Sequence, residues 1–287
     1  MKILVTGGAG FIGCNLVRRL VLQSDHEVVN LDKFTYAANE AALAAVAGHP
    51  GYRLERVDLA DAAATAAVFA RHRPDAVIHL AAESHVDRSI RGPEEFIRSN
   101  IVGTFNLLQA ALGYWGEQGC PESFRLLHGS TDEVYGSLAP GEPAFDESTR
   151  YDPRSPYSAS KAASDHLARA WFNTYGLPVM VIHCSNNYGP YQHPEKLIPT
   201  VIGKCLAGES IPIYGTGENV RDWIHVEDHI DALLLVLEKG EIGRTYDIGA
   251  GMERTNLALV QTLCRIVGEL VPKGGYERLI SFVADRP

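Results

Sequence analysis

Thr6-Gly7-Gly8-Ala9-Gly10-Phe11-Ile12-Gly13 stands between a β-rich run at residues 2–5 and a segment of helical apolar spacing at 11–22, where Ile12, Leu16 and Leu20 recur. Its glycines fall in a G-x-x-G-x-x-G pattern at a strand-to-helix junction. A tight turn there needs Gly7. Gly10 lets backbone approach a ligand closely, and Gly13 lets helix pack on strand. The first amides of the helix then present N–H groups and a positive dipole end, which suit a phosphate.

Working outward, the same alternation continues. Residues 27–31, 53–57 and 76–80 read as further strands, with a helix over about 61–71. A long helical stretch follows over about 93–115, then a strand at 124–127, a helix around 157–175 and a strand at 177–182. The Ala-rich stretch 37–47 reads as helical. Alternation of this kind predicts an α/β fold, a Rossmann-type doubly wound parallel sheet with helices on both faces. From about Asn187 the elements shorten, and Gly, Pro and polar residues cluster at 188–191 and 214–219. We therefore expect residues 1–186 to form a dinucleotide-binding domain that carries the catalytic residues. Residues 187–287 are expected to form a smaller C-terminal substrate-binding lobe, interleaved with the first.

The glycine pattern is a relative of the G-x-G-x-x-G dinucleotide fingerprint. Asp32 ends the second strand about 20 residues beyond it, where a carboxylate accepts from ribose hydroxyls and repels a 2′-phosphate. This favours NAD over NADP, although the adjacent Lys33 weakens the argument. Asp58 ends the third strand, placed either to meet the adenine or to cap the helix that follows.

Tyr157-Ser158-Ala159-Ser160-Lys161 is Y-x-x-x-K, an i, i+4 pair on one helix face. A nearby cation favours the phenolate of a tyrosine, which can then take a hydroxyl proton while a nicotinamide takes the hydride. Alone the pattern reads as a surface helix pair. Its place after the glycine motif and after Ser130-Thr131-Asp132-Glu133-Val134-Tyr135-Gly136 gives it weight. Two adjacent carboxyls near a strand's carboxyl edge can act as an acid and a base.

With these segments in place, the chain resembles the extended short-chain dehydrogenase/reductase superfamily and, within it, the dTDP-glucose 4,6-dehydratase family. Further matching stretches are 31–36 (Leu-Asp-Lys-Phe-Thr-Tyr), 79–89 (His-Leu-Ala-Ala-Glu-Ser-His-Val-Asp-Arg-Ser), 155–161, 184–190 (Cys-Ser-Asn-Asn-Tyr-Gly-Pro), 194–199 (Pro-Glu-Lys-Leu-Ile-Pro) and 219–223 (Asn-Val-Arg-Asp-Trp). Thr131-Asp132-Glu133 discriminates most, because related epimerases usually lack the acidic pair and GDP-mannose dehydratases carry Thr-Ser-Glu.

The resemblance implies that Thr131 and Tyr157 hold the C4 hydroxyl of the sugar, with Lys161 also bonding the nicotinamide ribose. It makes Asp132 the acid at the C6 hydroxyl and Glu133 the base at C5. It implies NAD contacts from Gly7, Gly10, Phe11, Ile12, Gly13, Asp32, Lys33, Thr35, Asp58, Leu59, Leu80, Ala81, Ala82, Ser84, Ser99 and Asn187. For dTDP-glucose it implies Ser84, His85, Asn186, Glu195, Lys196, Leu197, Pro212, Tyr214, Arg221 and Asn256. His85 reads equally as a packed loop histidine, and Pro212 and Tyr214 as structural. The resembling pattern runs on past Pro287 through a Gly-His-Asp segment and a further helix. The small lobe is thus expected to be incomplete, with Arg286 its last nucleotide contact here.

Composition agrees. The formal charge of -9 disfavours nucleic-acid binding. Cysteines 14, 120, 184, 205 and 264 form no C-x-x-C pair, so neither a metal site nor a disulfide framework is expected, and free thiols suit the cytoplasm. No apolar stretch approaches the roughly 20 residues of a membrane span, and no secretory signal is read. A homodimer is implied by the resemblance alone. The competing readings are an epimerase or decarboxylase of the same superfamily and a non-catalytic NAD-binding regulator.

Overall fold

Strand β1 (Lys2–Thr6) feeds through the glycine turn into α1 (Phe11–Gln23) and then β2 (Glu27–Leu31). The computed structural model describes residues 1–138, 142–271 and 275–284. Next come α2 (Glu40–Leu43), β3 (Tyr52–Glu55), α3 (Ala62–His72), β4 (Ala76–His79), α4 (Val86–Arg91) and α5 (Pro93–Phe96). Then follow α6 (Gly103–Glu117), β5 (Arg125–Thr131), α7 (Pro156–Tyr175) and β6 (Val179–Cys184). The later elements are β7 (Asn186–Tyr188), α8 (Leu197–Ala207), β8 (Ile211–Tyr214), β9 (Val220–His225), α9 (Val226–Lys239), β10 (Thr245–Ile248), β11 (Glu253–Thr255), α10 (Asn256–Leu270) and β12 (Ile280–Val283).

The described residues form two compact units. The first comprises Met1–Cys184 and Glu227–Ile248. It holds a seven-stranded sheet in the order β10-β6-β5-β4-β1-β2-β3, parallel throughout. This is the doubly wound fold expected from the alternation. The order reverses direction between β1 and β4, and such a switch point opens a crevice at the strands' carboxyl ends. Leu4, Val29, Val77, Leu126 and Val181 on the strands pack with Val68 and Phe69 of α3, Leu107 and Leu108 of α6 and Trp171 of α7. Fully burying side chains of this size contributes ~1.5–3 kcal/mol each.

The second unit comprises Ser185–Val226 and Gly249–Pro287. It carries a three-stranded sheet, β11-β9-β7, and the pair β12-β8. Val201 and Cys205 of α8, Ile211 and Ile213 of β8 and Val260, Cys264 and Val267 of α10 make its core. Arg286 lies outside the described residues.

Local chemistry sets the element ends. The Asp61 carboxylate caps α3 by accepting from the Ala64 amide at 2.9 Å. That leaves Asp58 free of the capping role, with its carboxylate on the Ala60 amide at 2.9 Å and on Arg98 at 2.9 Å. Ser155 caps α7 in a reciprocal box with Ser158, Pro156 follows at the first helical position, and Gly176 closes the helix at φ 73°.

Four expectations need correction. The stretch 37–47 yields only the short α2, because Ala38 and Asn39 donate to the Thr35 and Ala9 carbonyls instead of continuing a helix. The stretch 93–115 is helical but broken by a π-helical turn, Ile97–Val102, which turns Asn100 inward. Strand β5 runs to Thr131 rather than stopping at Leu127; Gly129 and Ser130 stay paired to Ile182 and His183 of β6. The third strand ends at Glu55, two residues before its expected end.

Candidate active site

The carboxyl ends of β1, β2 and β4 open onto a cleft, the place where ligands bind in an open α/β sheet. It is walled by Gly7, Gly10, Asp32, Lys33, Thr35, Asp58, Leu59, Leu80, Ala81, Ala82 and Ser99, all named from the sequence. Leu31, Ala37, Ala38, Val57 and Glu83 complete it. Sequence reasoning missed these five because none carries distinctive chemistry except Glu83, whose carboxylate sits in a run of motif residues. Phe11, Ile12, Gly13, Ser84, Tyr157 and Lys161 are not among the described wall residues.

The glycines are there for space. Gly7 has φ +73°, and a Cβ on it would lie 2.6 Å from the Ala81 amide. A Cβ on Gly13 would lie 2.1 Å from the Gly7 carbonyl oxygen. The ladder of α1 opens with the Cys14 amide on the Gly10 carbonyl at 2.8 Å, so the Phe11, Ile12 and Gly13 amides precede it at the anion-attracting end. The Asp32 carboxylate accepts from the Ala9 amide at 2.9 Å and from the Phe34 amide at 2.8 Å. Burial raises its pKa against these bonds. Lys33 is tied to Glu95 at 2.5 Å and to the Ser99 hydroxyl at 2.7 Å. A glycine turn, a carboxylate ending β2 and a largely apolar slot together fit an adenine dinucleotide with free ribose hydroxyls.

Thr131 ends β5, and Asp132 and Glu133 open the 3-10 turn Asp132–Tyr135. The Thr131 hydroxyl accepts from the Glu133 amide at 3.3 Å and donates to the Asp132 carboxylate at 3.3 Å. Tyr157 stands in the first turn of α7, where the Thr131, Asp132 and Glu133 side chains act on its phenol. The strand end and the helix start thus bring Thr131, Asp132, Glu133 and Tyr157 together. Burial, and then the charge of Glu133, push the Tyr157 phenol well above its ordinary value, while the bond to Thr131 pulls the other way.

Lys161 is buried one turn further on and donates to the Gly129 carbonyl at 2.7 Å. The sequence reading gave it the task of favouring the Tyr157 phenolate. Glu133, Cys184 and Asp132 disfavour that phenolate. Asn100, brought inward by the π-turn, clamps the segment after β4. Its side chain accepts from the Glu83 amide at 2.8 Å, donates to the Glu83 carbonyl at 3.0 Å and donates to Ser160 at 2.9 Å. No motif marked it. Ser84 is exposed beside this clamp, and half-buried His85 is the residue preceding α4.

The remaining candidates belong to the second unit. Asn186 and Asn187 lie on β7, and the Asn187 amide donates to the Ser185 carbonyl at 3.0 Å. Glu195 is 3.6 Å from His193, Lys196 is the cap residue of α8 and Leu197 its first residue. Pro212 and Tyr214 lie on β8, exposed Arg221 on β9, and Asn256 opens α10. The loop between β8 and β9 connects two of them, Tyr214 and Asn256. The Gly217 amide donates to the Tyr214 carbonyl, and the Leu257 and Asn256 amides donate to the Gly217 and Asn219 carbonyls, each near 3 Å. Among the described residues no cluster of metal-ligating side chains occurs.

A doubly wound sheet with a dinucleotide cleft, a Y-x-x-x-K helix and an acidic turn defines an extended short-chain dehydrogenase/reductase. The chain belongs to the GDP-mannose 4,6 dehydratase family, whose model matches residues 4–282, and within it to the dTDP-glucose 4,6-dehydratases. It is 55% identical to dTDP-glucose 4,6-dehydratase 1 of Escherichia coli K12 over 298 residues, covering 100% of this chain and 82% of that protein. It is also 55% identical to the dTDP-glucose 4,6-dehydratase of Neisseria meningitidis serogroup B over 293 residues, with coverage of 100% and 82%. The crystal structure of DesIV, a dTDP-glucose 4,6-dehydratase of Streptomyces venezuelae with NAD and TYD bound, superposes with a TM-score of 0.89 at 45% identity, covering 100% of this chain and 85% of that one.

Proposed function

We propose that this protein is an NAD-dependent hydro-lyase that converts dTDP-glucose to dTDP-4-keto-6-deoxyglucose. The observation that carries the reading is the Thr131-Asp132-Glu133 turn at the end of β5, whose side chains act on the Tyr157 phenol. When bound, NAD accepts the C4 hydride and returns it to C6. Gly7, Gly10, Gly13, Asp32 and the residues walling the cleft hold it. Thr131 and Tyr157 hold the C4 hydroxyl, and Tyr157 takes its proton. The resulting ketone acidifies the C5 hydrogen, which Glu133 removes. Asp132 protonates the C6 hydroxyl, water leaves, and a proton returns to C5 as the hydride is restored to C6. An epimerase needs no acid at C6 and no base at C5, so the acidic pair separates the two chemistries.

Ser84, His85 and Asn186 are assigned to the sugar. Glu195, Lys196, Leu197, Pro212, Tyr214, Arg221 and Asn256 are assigned to the nucleotide and diphosphate; the Arg221 guanidinium suits phosphate oxygens. Asn187 is assigned to the nicotinamide side. The second unit is accordingly read as the sugar-nucleotide lobe. A homodimer is supported by exposed Val102 and Phe105 at the start of α6 and exposed Tyr175 at the end of α7, and sedimentation in solution tests it. A cytoplasmic site is supported by five free cysteines. Among the described residues, no helix is long and apolar enough to cross a membrane.

The test is incubation with dTDP-glucose. Loss of one water from the sugar nucleotide, with a keto product absorbing in alkali, is expected. Inversion at C4 without loss of water would establish an epimerase instead.

A further inference from the structure

Beneath the catalytic turn lies a buried polar cluster that the proposed reaction does not use. Its centre is Asp165, one helical turn beyond Lys161 on α7, with 0% of its side chain exposed. Four donors converge on its carboxylate. They are Ser130 Oγ at 2.8 Å, His128 Nε2 at 3.0 Å, His183 Nε2 at 3.1 Å and Tyr151 Oη at 3.1 Å. Ser130 and His128 are on β5, His183 is on β6, and Tyr151 precedes α7. On its far side His183 Nδ1 meets Asp247 of β10 at 2.9 Å, where Tyr135 Oη also donates to Asp247 at 2.9 Å. Arg169 donates to the Tyr151 hydroxyl at 2.9 Å.

We propose that Asp165 is a positioning residue for the dehydration, fixing the Thr131–Glu133 turn against Tyr157 and holding a negative charge opposite Lys161. The inference rests on the function proposed above. Ser130 immediately precedes Thr131, so its bond to Asp165 locks the last residue of β5 to the helix that carries Tyr157 and Lys161. A displacement of the order of 1 Å between such groups is enough to cost a large fraction of the rate. The charge is firm. Burial opposes ionisation of Asp165, but the bonds from His128 and His183 outweigh it and hold the carboxyl well below its ordinary range. Two carboxylates also draw His183 above its ordinary value in spite of burial.

Lys161 feels the consequence. Burial lowers its pKa, and Asp165 on its own helix and Cys184 on β6 resist that fall. His128 of β5 and His79 of β4 also face it electrostatically, and burial lowers both of their pKa values. Replacing the Asp165 carboxylate with an uncharged group removes the support for the ammonium, so Lys161 should lose its proton at lower pH.

Two variants separate the roles. Asp165→Asn keeps the shape and loses the charge, and Ser130→Ala keeps the charge and loses the link to the turn. In the holoenzyme, Asp165→Asn should lower kcat about tenfold or more with KM for dTDP-glucose little changed. Its alkaline limb should move down by about one pH unit. Ser130→Ala should lower kcat with the alkaline limb unmoved. The ionisation of Lys161, followed by NMR of lysine labelled with ¹³C at Cε, should shift downward in Asp165→Asn whatever the substrate. Failure of the unmutated protein to dehydrate dTDP-glucose would overturn the functional reading alone, since the Lys161 titration still reads the inference. Unchanged kcat in Ser130→Ala, or an unmoved Lys161 titration in folded Asp165→Asn, would overturn the inference.

Discussion

Tyr157 is asked to give up its proton in a setting that resists it. Burial and the neighbouring Glu133 hold the phenol protonated, and Thr131 is the hydrogen-bonding side chain that opposes them. Tyr157→Phe should lower the first oxidation by about a hundredfold or more, with sugar-nucleotide binding retained; bound-NADH absorbance checks the first and calorimetry the second. Near-normal turnover would move the base elsewhere. The proposed reaction gives Glu133 a different step. Glu133→Gln should still reduce bound NAD with dTDP-glucose but release almost no keto product, and it should show little deuterium uptake at C5 in heavy water. Residues in motif order, such as Thr131, Asp132, Glu133 and Tyr157, were legible because their chemistry is unusual at that spacing. Asp165 and Asn100 were not. A polar side chain on a helix reads as solvated unless the packing around it is known.

At the scale of elements, the site depends on where strands stop and helices start. The extension of β5 to Thr131 puts the acidic turn at the sheet's carboxyl edge, and the capping box at Ser155 starts α7 in time to present Tyr157 there. The capping box was not read from the sequence, because its third position is Ser158 rather than the usual Glu or Gln. The strand extension was hidden by Gly129 and Ser130, whose small side chains leave room for Leu80 and for the Asp165 carboxylate rather than making a turn. The π-turn likewise has no sequence signature, because its apolar spacing passes for an ordinary helix. The glycine turn was fully legible, since each glycine answers a steric demand. Gly13→Ala places a methyl 2.1 Å from the Gly7 carbonyl oxygen. It should cost about 1–3 kcal/mol of stability and weaken NAD binding, read by thermal melts with and without NAD. Unchanged melts and affinity would show that α1 can draw back from β1 at little cost.

Across the whole molecule, buried histidines set the response to acid. Burial lowers the pKa of His79 and His128, and takes His229 down to about 4. In the unfolded chain these rings titrate near 6.5, so the unfolded state binds protons over a range where the folded state does not. Stability is present above that pH and is lost as the pH falls from about 6.5 toward 4. Asp165, depressed in the folded state, adds a further loss at lower pH still. His183, raised in the folded state, runs the other way and contributes below its unfolded value, fading as the pH rises through its folded one. The melting temperature should therefore fall over the acid interval, and less steeply in His229→Gln. A flat profile there would contradict the assignment of these rings as buried and neutral.

The central claim, internal redox coupled to loss of water, is tested most directly by following one hydrogen. dTDP-glucose carrying deuterium at C4 is converted by the unmutated protein, and the sugar product is read by NMR and mass spectrometry. The account predicts a 4-keto-6-deoxy product whose C6 methyl group carries the deuterium, because the hydride taken from C4 is returned to C6 on the same molecule. Deuterium found still at C4 of an inverted hexose with its C6 hydroxyl intact would contradict it.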